Sequence, residues 1–197
     1  MQVVSLADVV ADITRRETPG PTRLVGVDGP AGAGKTTLAR RLAARMDAAI
    51  VTTDDFLSWT DLDGWWPRFD AEVITPLLEG RDARYQVRDW RNDPEGTSVR
   101  EWKTTTWSPV VVVEGVTSTR QAVTDRLTYR IWVEAPDGVL RDRNFRRGDY
   151  WPPHWDEWHA LESAFFTVDG TRERADLIVH SNAQINHDPD GEVTSAV

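Results

Sequence analysis

One stretch constrains this chain more than any other: Val27-Asp28-Gly29-Pro30-Ala31-Gly32-Ala33-Gly34-Lys35-Thr36-Thr37. It satisfies the pattern G-x-x-x-x-G-K-[ST] without substitution, and that pattern describes a physical device. Glycines let the backbone bend tightly and bring successive N–H groups around a polyphosphate. The helix that follows adds its positive N-terminal end. The flanks supply the required context. Leu24-Val25-Gly26-Val27 is a short apolar run that reads as a buried parallel strand. Beyond the loop, Leu38, Ala39, Leu42, Ala43 and Met46 recur at helical spacing, with Arg40, Arg41 and Arg45 between them. Strand, glycine loop and helix is the order in which such a loop works. The expected phosphate cradle is Gly29, Ala31, Gly32, Ala33, Gly34, Lys35, Thr36 and Thr37. Lys35 would reach the outer phosphates, and the Thr36 hydroxyl would ligate Mg²⁺.

At 197 residues the chain is long enough for one α/β domain with a full core. A net charge of −9 argues against a nucleic-acid binder, which needs a basic face, but leaves room for a small anion on a local basic site. The absence of Cys excludes disulfides and thiolate metal sites. Asp8, Asp12 and Glu17 near the N-terminus, without a long apolar core, do not make a signal peptide. No apolar run reaches membrane-spanning length. The expectation is a cytoplasmic protein with no membrane or nucleic-acid partner.

The pattern predicts a single α/β domain over 1–197, alternating strands and helices around a mostly parallel sheet. An amphipathic helix is expected over 3–17, within an N-terminal helical segment 1–20, capped by Ser5 and ended by Thr18-Pro19-Gly20-Pro21. Ala48–Thr52 reads as a second strand and Asp70–Leu78 as a helix stopped by Gly80. Residues 81–108 read as two extended arms on the acceptor side, in the manner of a hairpin, around Asp93-Pro94-Glu95-Gly96. Val110–Val113 and Leu127–Val133 are apolar strands. Asp137–Arg147 and Trp155–Phe166 are helices of a lid region, 137–165. Ala175–His180 is the last expected strand, and 184–197, with Asn186–Val197, is expected to be a frayed polar tail.

Two carboxylates stand at strand ends, where open parallel sheets bind ligands. Glu114 closes the Val110–Val113 run, and Gly115 lets the chain turn there. Glu114 is therefore expected near the Mg²⁺, beside Thr36. Thr52-Thr53-Asp54-Asp55-Phe56-Leu57 follows the second strand. Phosphoryl transfer to an alcohol needs a carboxylate that orients the hydroxyl and accepts its proton, and Asp54 is the candidate. Asp55 is its rival, because only one of two neighbours in an extended chain points into the cleft. The four His are scattered and show no metal-ligand spacing.

Together these segments resemble the uridine kinase and phosphoribulokinase branch of P-loop kinases, from about Leu24 to Val179. The resemblance is carried by Asp28–Thr37, Thr52–Leu57, Tyr85, Val110–Gly115, Tyr129–Glu134, Leu140-Arg141-Asp142-Arg143 with Arg146-Arg147, and Ala175–Val179. It implies a three-layer α/β/α P-loop NTPase fold with a small Arg-rich lid. It implies an enzyme that moves the γ-phosphoryl group of Mg-ATP to a hydroxyl of a small, nucleoside-like acceptor. Asp54 and Lys35 take catalytic roles, with Arg143 and Arg147 from the lid, whose arginines neutralise the transferred group. Arg143, Arg146 and Arg147 fall on one helical face, and Arg141 lies elsewhere. Acceptor contacts are expected from Asp54, Phe56, Tyr85, Asp89 and Trp90. Here the chain departs from the branch: a Tyr-Asp-Phe type segment is replaced by Tyr85-Gln86-Val87-Arg88-Asp89-Trp90, so Asp89 stands in for the carboxylate and Trp90 for a stacking ring. The alternatives are a pantothenate-like or nucleotide kinase, or a P-loop ATPase switch acting on a protein partner. A homo-oligomer is compatible with the sequence.

Overall fold

The computed structural model describes residues 1–146 and 155–195. The central apolar runs behave as such runs must when both faces are covered. Strand β2 (Arg23–Asp28) lies in the middle of a seven-stranded sheet, with Leu24, Val25 and Val27 buried. Strand β6 (Val110–Glu114) pairs with it on one side and β7 (Tyr129–Glu134) on the other, both parallel. Strand β3 (Ala49–Thr52) adds to β6, and β8 (Leu177–His180) to β7, again parallel. The loops that leave β2, β3 and β6 therefore converge on one edge of the sheet. Helix α2 (Lys35–Met46) packs back across β2, β3 and β6 through Leu38, Ala39, Leu42 and Ala43. The result is the expected P-loop kinase fold, a mostly parallel sheet flanked by helices.

Two terminal expectations are corrected. Residues 2–5 are not helical: they form β1 (Gln2–Ser5), and helix α1 (Leu6–Arg15) begins only after it. Ser5 does cap that helix. Its Oγ accepts from the Asp8 amide at 3.0 Å and donates to the Asp8 carboxylate at 2.7 Å. The polar tail is not frayed either, because Glu192–Ser195 is a strand, β9. It runs antiparallel to β1 and to β8, giving the order β1-β9-β8-β7-β2-β6-β3. Val193, Thr194 and Ser195 are buried, and Arg41 and Arg45 of α2 donate to the carbonyls of Glu192 and Asp190. Each terminus is ordered by the other, a relation that no local periodicity carries.

The helix expected over 70–78 is longer and irregular. Helix α3 (Trp66–Phe69) and helix α4 (Thr75–Leu78) are joined through a π-helical turn, Asp70–Ile74. Pro76 has no N–H to give, and its ring would crowd the carbonyl four residues earlier, so the widened turn ahead of it has a cause. The two arms of 81–108 are the hairpin β4 (Ala83–Arg88) and β5 (Val99–Thr105). Helix α5 (Asp137–Arg146) follows β7, and helix α6 (Trp155–Asp169) precedes β8. Arg147, one of the expected lid arginines, lies outside the described residues, as does the 147–154 part of the lid. Among the described residues, no helix is long and apolar enough to cross a membrane.

Candidate active site

The phosphate loop leaves β2 at Asp28, whose carboxylate is fully buried. Four donors surround it: the amides of Gly29 (2.7 Å), Thr117 (2.9 Å) and Thr119 (2.7 Å), and the Thr119 hydroxyl (3.0 Å). The ends of β2 and β6 are thereby tied together beneath the loop, and Thr117 is held at the left-handed φ of 61°. Burial pushes the Asp28 pKa up to about 6. The folded state therefore holds this proton more tightly than the unfolded chain. On this group's account the fold loses stability as pH rises from about 4 to about 6. Asp28→Asn is expected to remove that segment of the pH–stability curve. It is also expected to cost about 2 kcal/mol at neutral pH, since an amide NH₂ then faces backbone donors. Urea denaturation across pH checks both; an unaltered curve would contradict the assignment.

The loop itself is built for close approach. Gly29 sits at φ +140°, and a Cβ there would lie 2.0 Å from the Val133 carbonyl oxygen of β7. Gly34 takes the N-cap of α2 in the left-handed region without any side-chain cap, so the first amides of the helix face outward. Lys35 is almost buried and folds back over the loop, its Nζ donating to the carbonyls of Gly29 (2.9 Å) and Pro30 (3.0 Å).

A cleft of about 330 Å³ opens on this loop. Its lining includes the polar residues Lys35, Thr36, Asp54 and Glu114 and the apolar Leu57, Trp59, Trp90 and Trp158. The Thr36 hydroxyl donates to Glu114 Oε2 at 3.1 Å. Burial, then the negative charge of Asp54, raise the Glu114 pKa, while Lys35 and the hydroxyls of Thr52 and Thr36 work against them. Two neighbouring carboxylates and a hydroxyl are hard oxygen donors short of positive charge, which fits Mg²⁺. Among the described residues there is no group of three or more His, Cys, Asp or Glu that could hold a metal on its own.

The rivalry between the two aspartates is resolved by the 3₁₀ turn Thr53–Asp55. Asp54 lines the cleft, whereas Asp55 turns to the hairpin, 2.7 Å from Lys103 Nζ and 3.3 Å from the Tyr85 hydroxyl. The acceptor residues expected from sequence divide accordingly. Trp90 reaches the cleft, and its indole N–H donates to the Asp54 carbonyl at 2.7 Å. Phe56 and Tyr85 do not: both are fully buried and pack on each other at 5.0 Å, with Phe69 at 4.9 Å from Phe56. They support the turn that carries Asp54 from behind. Asp89 does not line the cleft either; it accepts from the Asn92 side chain and caps the turn between β4 and β5.

Arg143 lies on the far side of the loop. Its guanidinium donates to the carbonyls of Gly32 (3.2 Å) and Ala33 (3.3 Å), to Ser181 Oγ (2.8 Å) and to the Ser181 carbonyl (2.9 Å). There it borders a second cleft of about 490 Å³, together with Thr37, Arg41, Arg146, His180 and His187. Sequence reading missed this cleft. Its signal was the position of Ser181 just past the carboxyl end of β8, the rule that had found Asp54 and Glu114. Sequence reading also missed Trp59, whose ring meets that of Trp158 edge to face at 4.6 Å.

Solved structures of similar shape include kinases. A structure described as a possible uridine kinase from Bacillus stearothermophilus superposes with a TM-score of 0.66 over 88% of this chain and 96% of its own, at 16% identity. D-glycerate 3-kinase from Cryptococcus neoformans gives 0.55 over 97% of both chains, at 14% identity. At such identities the likeness is one of fold. By sequence, a bifunctional pantoate ligase/cytidylate kinase from Synechococcus is 34% identical over 115 residues, which is 50% of this chain and 21% of that protein. A cytidylate kinase from Maridesulfovibrio salexigens is 38% identical over 60 residues, 29% of this chain and 26% of the relative. The match thus spans about a fifth to a quarter of the length of these relatives. Residues 25–152 match the family described as an AAA domain, and with its intact phosphate loop the chain belongs to that P-loop family.

Proposed function

We propose that the protein is a Mg-ATP-dependent phosphotransferase whose acceptor is an uncharged small alcohol with a planar apolar face, a pyrimidine nucleoside being the leading candidate. The observation that carries this is one cleft lined both by Asp54 and the loop residues Lys35 and Thr36 and by Trp59, Trp90 and Trp158. ATP places its β- and γ-phosphates on the loop amides and Lys35. Thr37 and Arg143, which line the second cleft, are the residues that would receive its nucleoside end. Thr36 and Glu114 are the residues that would hold Mg²⁺, which when bound neutralises charge on the phosphates. Asp54 orients the acceptor hydroxyl and takes its proton as the hydroxyl oxygen bonds to the γ-phosphorus. The bond from that phosphorus to the β–γ bridging oxygen breaks, ADP leaves, and the proton passes on to water. Positioning and charge neutralisation do most of the work.

A nucleotide acceptor is the second reading, favoured by the cytidylate kinases among the relatives. The cleft speaks against it. Among its described lining residues Lys35, committed to the loop, is the one Lys or Arg, and the apolar tryptophan faces suit an uncharged ring better than a phosphate. The test is ADP formation with Mg-ATP across uridine, cytidine, other nucleosides, nucleoside monophosphates, pantothenate and simple sugars. An uncharged acceptor is expected to exceed its own monophosphate by about 100-fold in kcat/KM. A monophosphate that outperforms its nucleoside would transfer the assignment to nucleotide kinase. Turnover indifferent to every acceptor would point to an ATPase switch.

A further inference from the structure

Beside the phosphate loop lies a buried charge that the chemistry above leaves unused. Glu162 of α6 has no exposed surface, and a carboxylate so placed is costly unless donors surround it. Three do: the Ala31 amide of the loop at 3.1 Å, Trp158 Nε1 at 3.1 Å and His159 Nδ1 at 3.3 Å. The last two come from the preceding turn of α6 itself. The first comes from the loop, far away in sequence, and among the described residues it is the one donor the carboxylate receives from outside its helix. A glutamate needed only for helix packing has no reason to be buried against that amide. The His159 ring lies flat on Trp155, 5.2 Å between centroids and 10° between planes, and its Nε2 is 3.8 Å from Asp137 of α5. The hydrogen bond to Glu162 raises the His159 pKa, and the charges of Glu162, Asp137 and Asp156 act in the same direction. Those are the charged groups facing it among the described residues. An imidazolium there balances the buried carboxylate at the place where bound triphosphate brings more negative charge.

We propose that Glu162 is a positioning residue for the phosphate donor: it holds the Ala31 segment of the loop in its binding shape, with His159 as charge partner. The proposal rests on the reading of the loop as the Mg-ATP site. Its test is binding, by calorimetry and by the ligand-induced rise in melting temperature, so no acceptor is needed. Glu162→Gln keeps the shape but points an NH₂ at donors. It is expected to weaken Mg-ATP about tenfold while the melting temperature of the free protein stays within a few degrees. A melting temperature that falls while affinity stays at the wild-type value would mark Glu162 as packing alone and overturn the proposal. His159→Asn keeps one donor to Glu162 and removes the titration. Wild-type affinity is expected to fall about threefold as pH rises from about 6 to about 9, and the variant to lack that component. The comparison cancels the titration of ATP itself. Identical pH profiles would overturn the proposal, and they do so even where Glu162→Gln fails to fold. Wild-type protein that binds no Mg-ATP would remove the donor-site reading and this proposal together, a result visible before any variant is made.

Discussion

Asp54→Asn is expected to lower turnover by about 10²–10⁴-fold while leaving the affinity for Mg-ATP within about twofold of wild type. The asymmetry follows from where Asp54 stands. It lines the cleft just past the end of β3, whereas on the proposed reading the loop amides and Lys35 hold the donor. Asn keeps the size and the turn. The Asp54 amide still bonds to Thr52 Oγ1, and the Asp54 carbonyl still receives Trp90 Nε1. What disappears is a group able to take the proton of an attacking hydroxyl. Steady-state kinetics with the acceptor found by the panel, together with nucleotide titration, separate the two quantities. Equal loss in binding and turnover would make Asp54 a structural residue of the cleft. Unchanged turnover would remove it from the chemistry and shift weight to nucleotide hydrolysis that drives a partner. Loss of the Asp54 charge also relieves the repulsion that raises Glu114, so the acid limb of the Mg²⁺ dependence is expected at lower pH in this variant.

The parts of the site that were legible in sequence are those whose chemistry is local. The loop from Gly29 to Thr36 announces itself because glycine spacing and backbone shape are one fact. Glu114 was found because a carboxylate ends an apolar run, and a parallel sheet sends every such end to the same edge. Asp54 and Asp55 could not be separated that way; the 3₁₀ turn separates them, and it depends on Tyr85 and Lys103 claiming Asp55 from the hairpin. Phe56 and Tyr85 were expected as acceptor contacts from segments that carry the family resemblance, yet their apolar area is worth more against Phe69 in the core than in an open cleft. The pairing of β1 with β9 and the reach of Glu162 to Ala31 have no local signature at all. Each joins segments far apart in the chain, and a helix that carries one buried acid reads as an ordinary amphipathic helix.

Lys35→Met is the second large effect expected, a fall of about 10²–10³-fold in kcat with a clear loss of Mg-ATP affinity. In the structure Lys35 Nζ is held at the loop by the carbonyls of Gly29 and Pro30, so the cation is in place before the phosphates arrive. Methionine fills nearly the same volume and can lie along the same path, which keeps the loop packed but leaves the transferred charge without its nearest counter-ion. A second consequence follows from the field. Lys35 is the cation that lowers the pKa of Glu114 against burial and Asp54. Without it the Glu114 carboxyl titrates higher still, and its ionised form, the one able to hold Mg²⁺, is populated only at higher pH. The variant is therefore expected to require more Mg²⁺ than the wild type toward acid pH and to recover part of the difference as pH rises. Glu114→Gln, which has no charge to recover, is expected to show the loss without the alkaline recovery. Mg²⁺ titrations of ADP formation at several pH values distinguish these. A Lys35→Met enzyme with an unshifted Mg²⁺ requirement would separate the lysine from the metal site and confine its role to the phosphates.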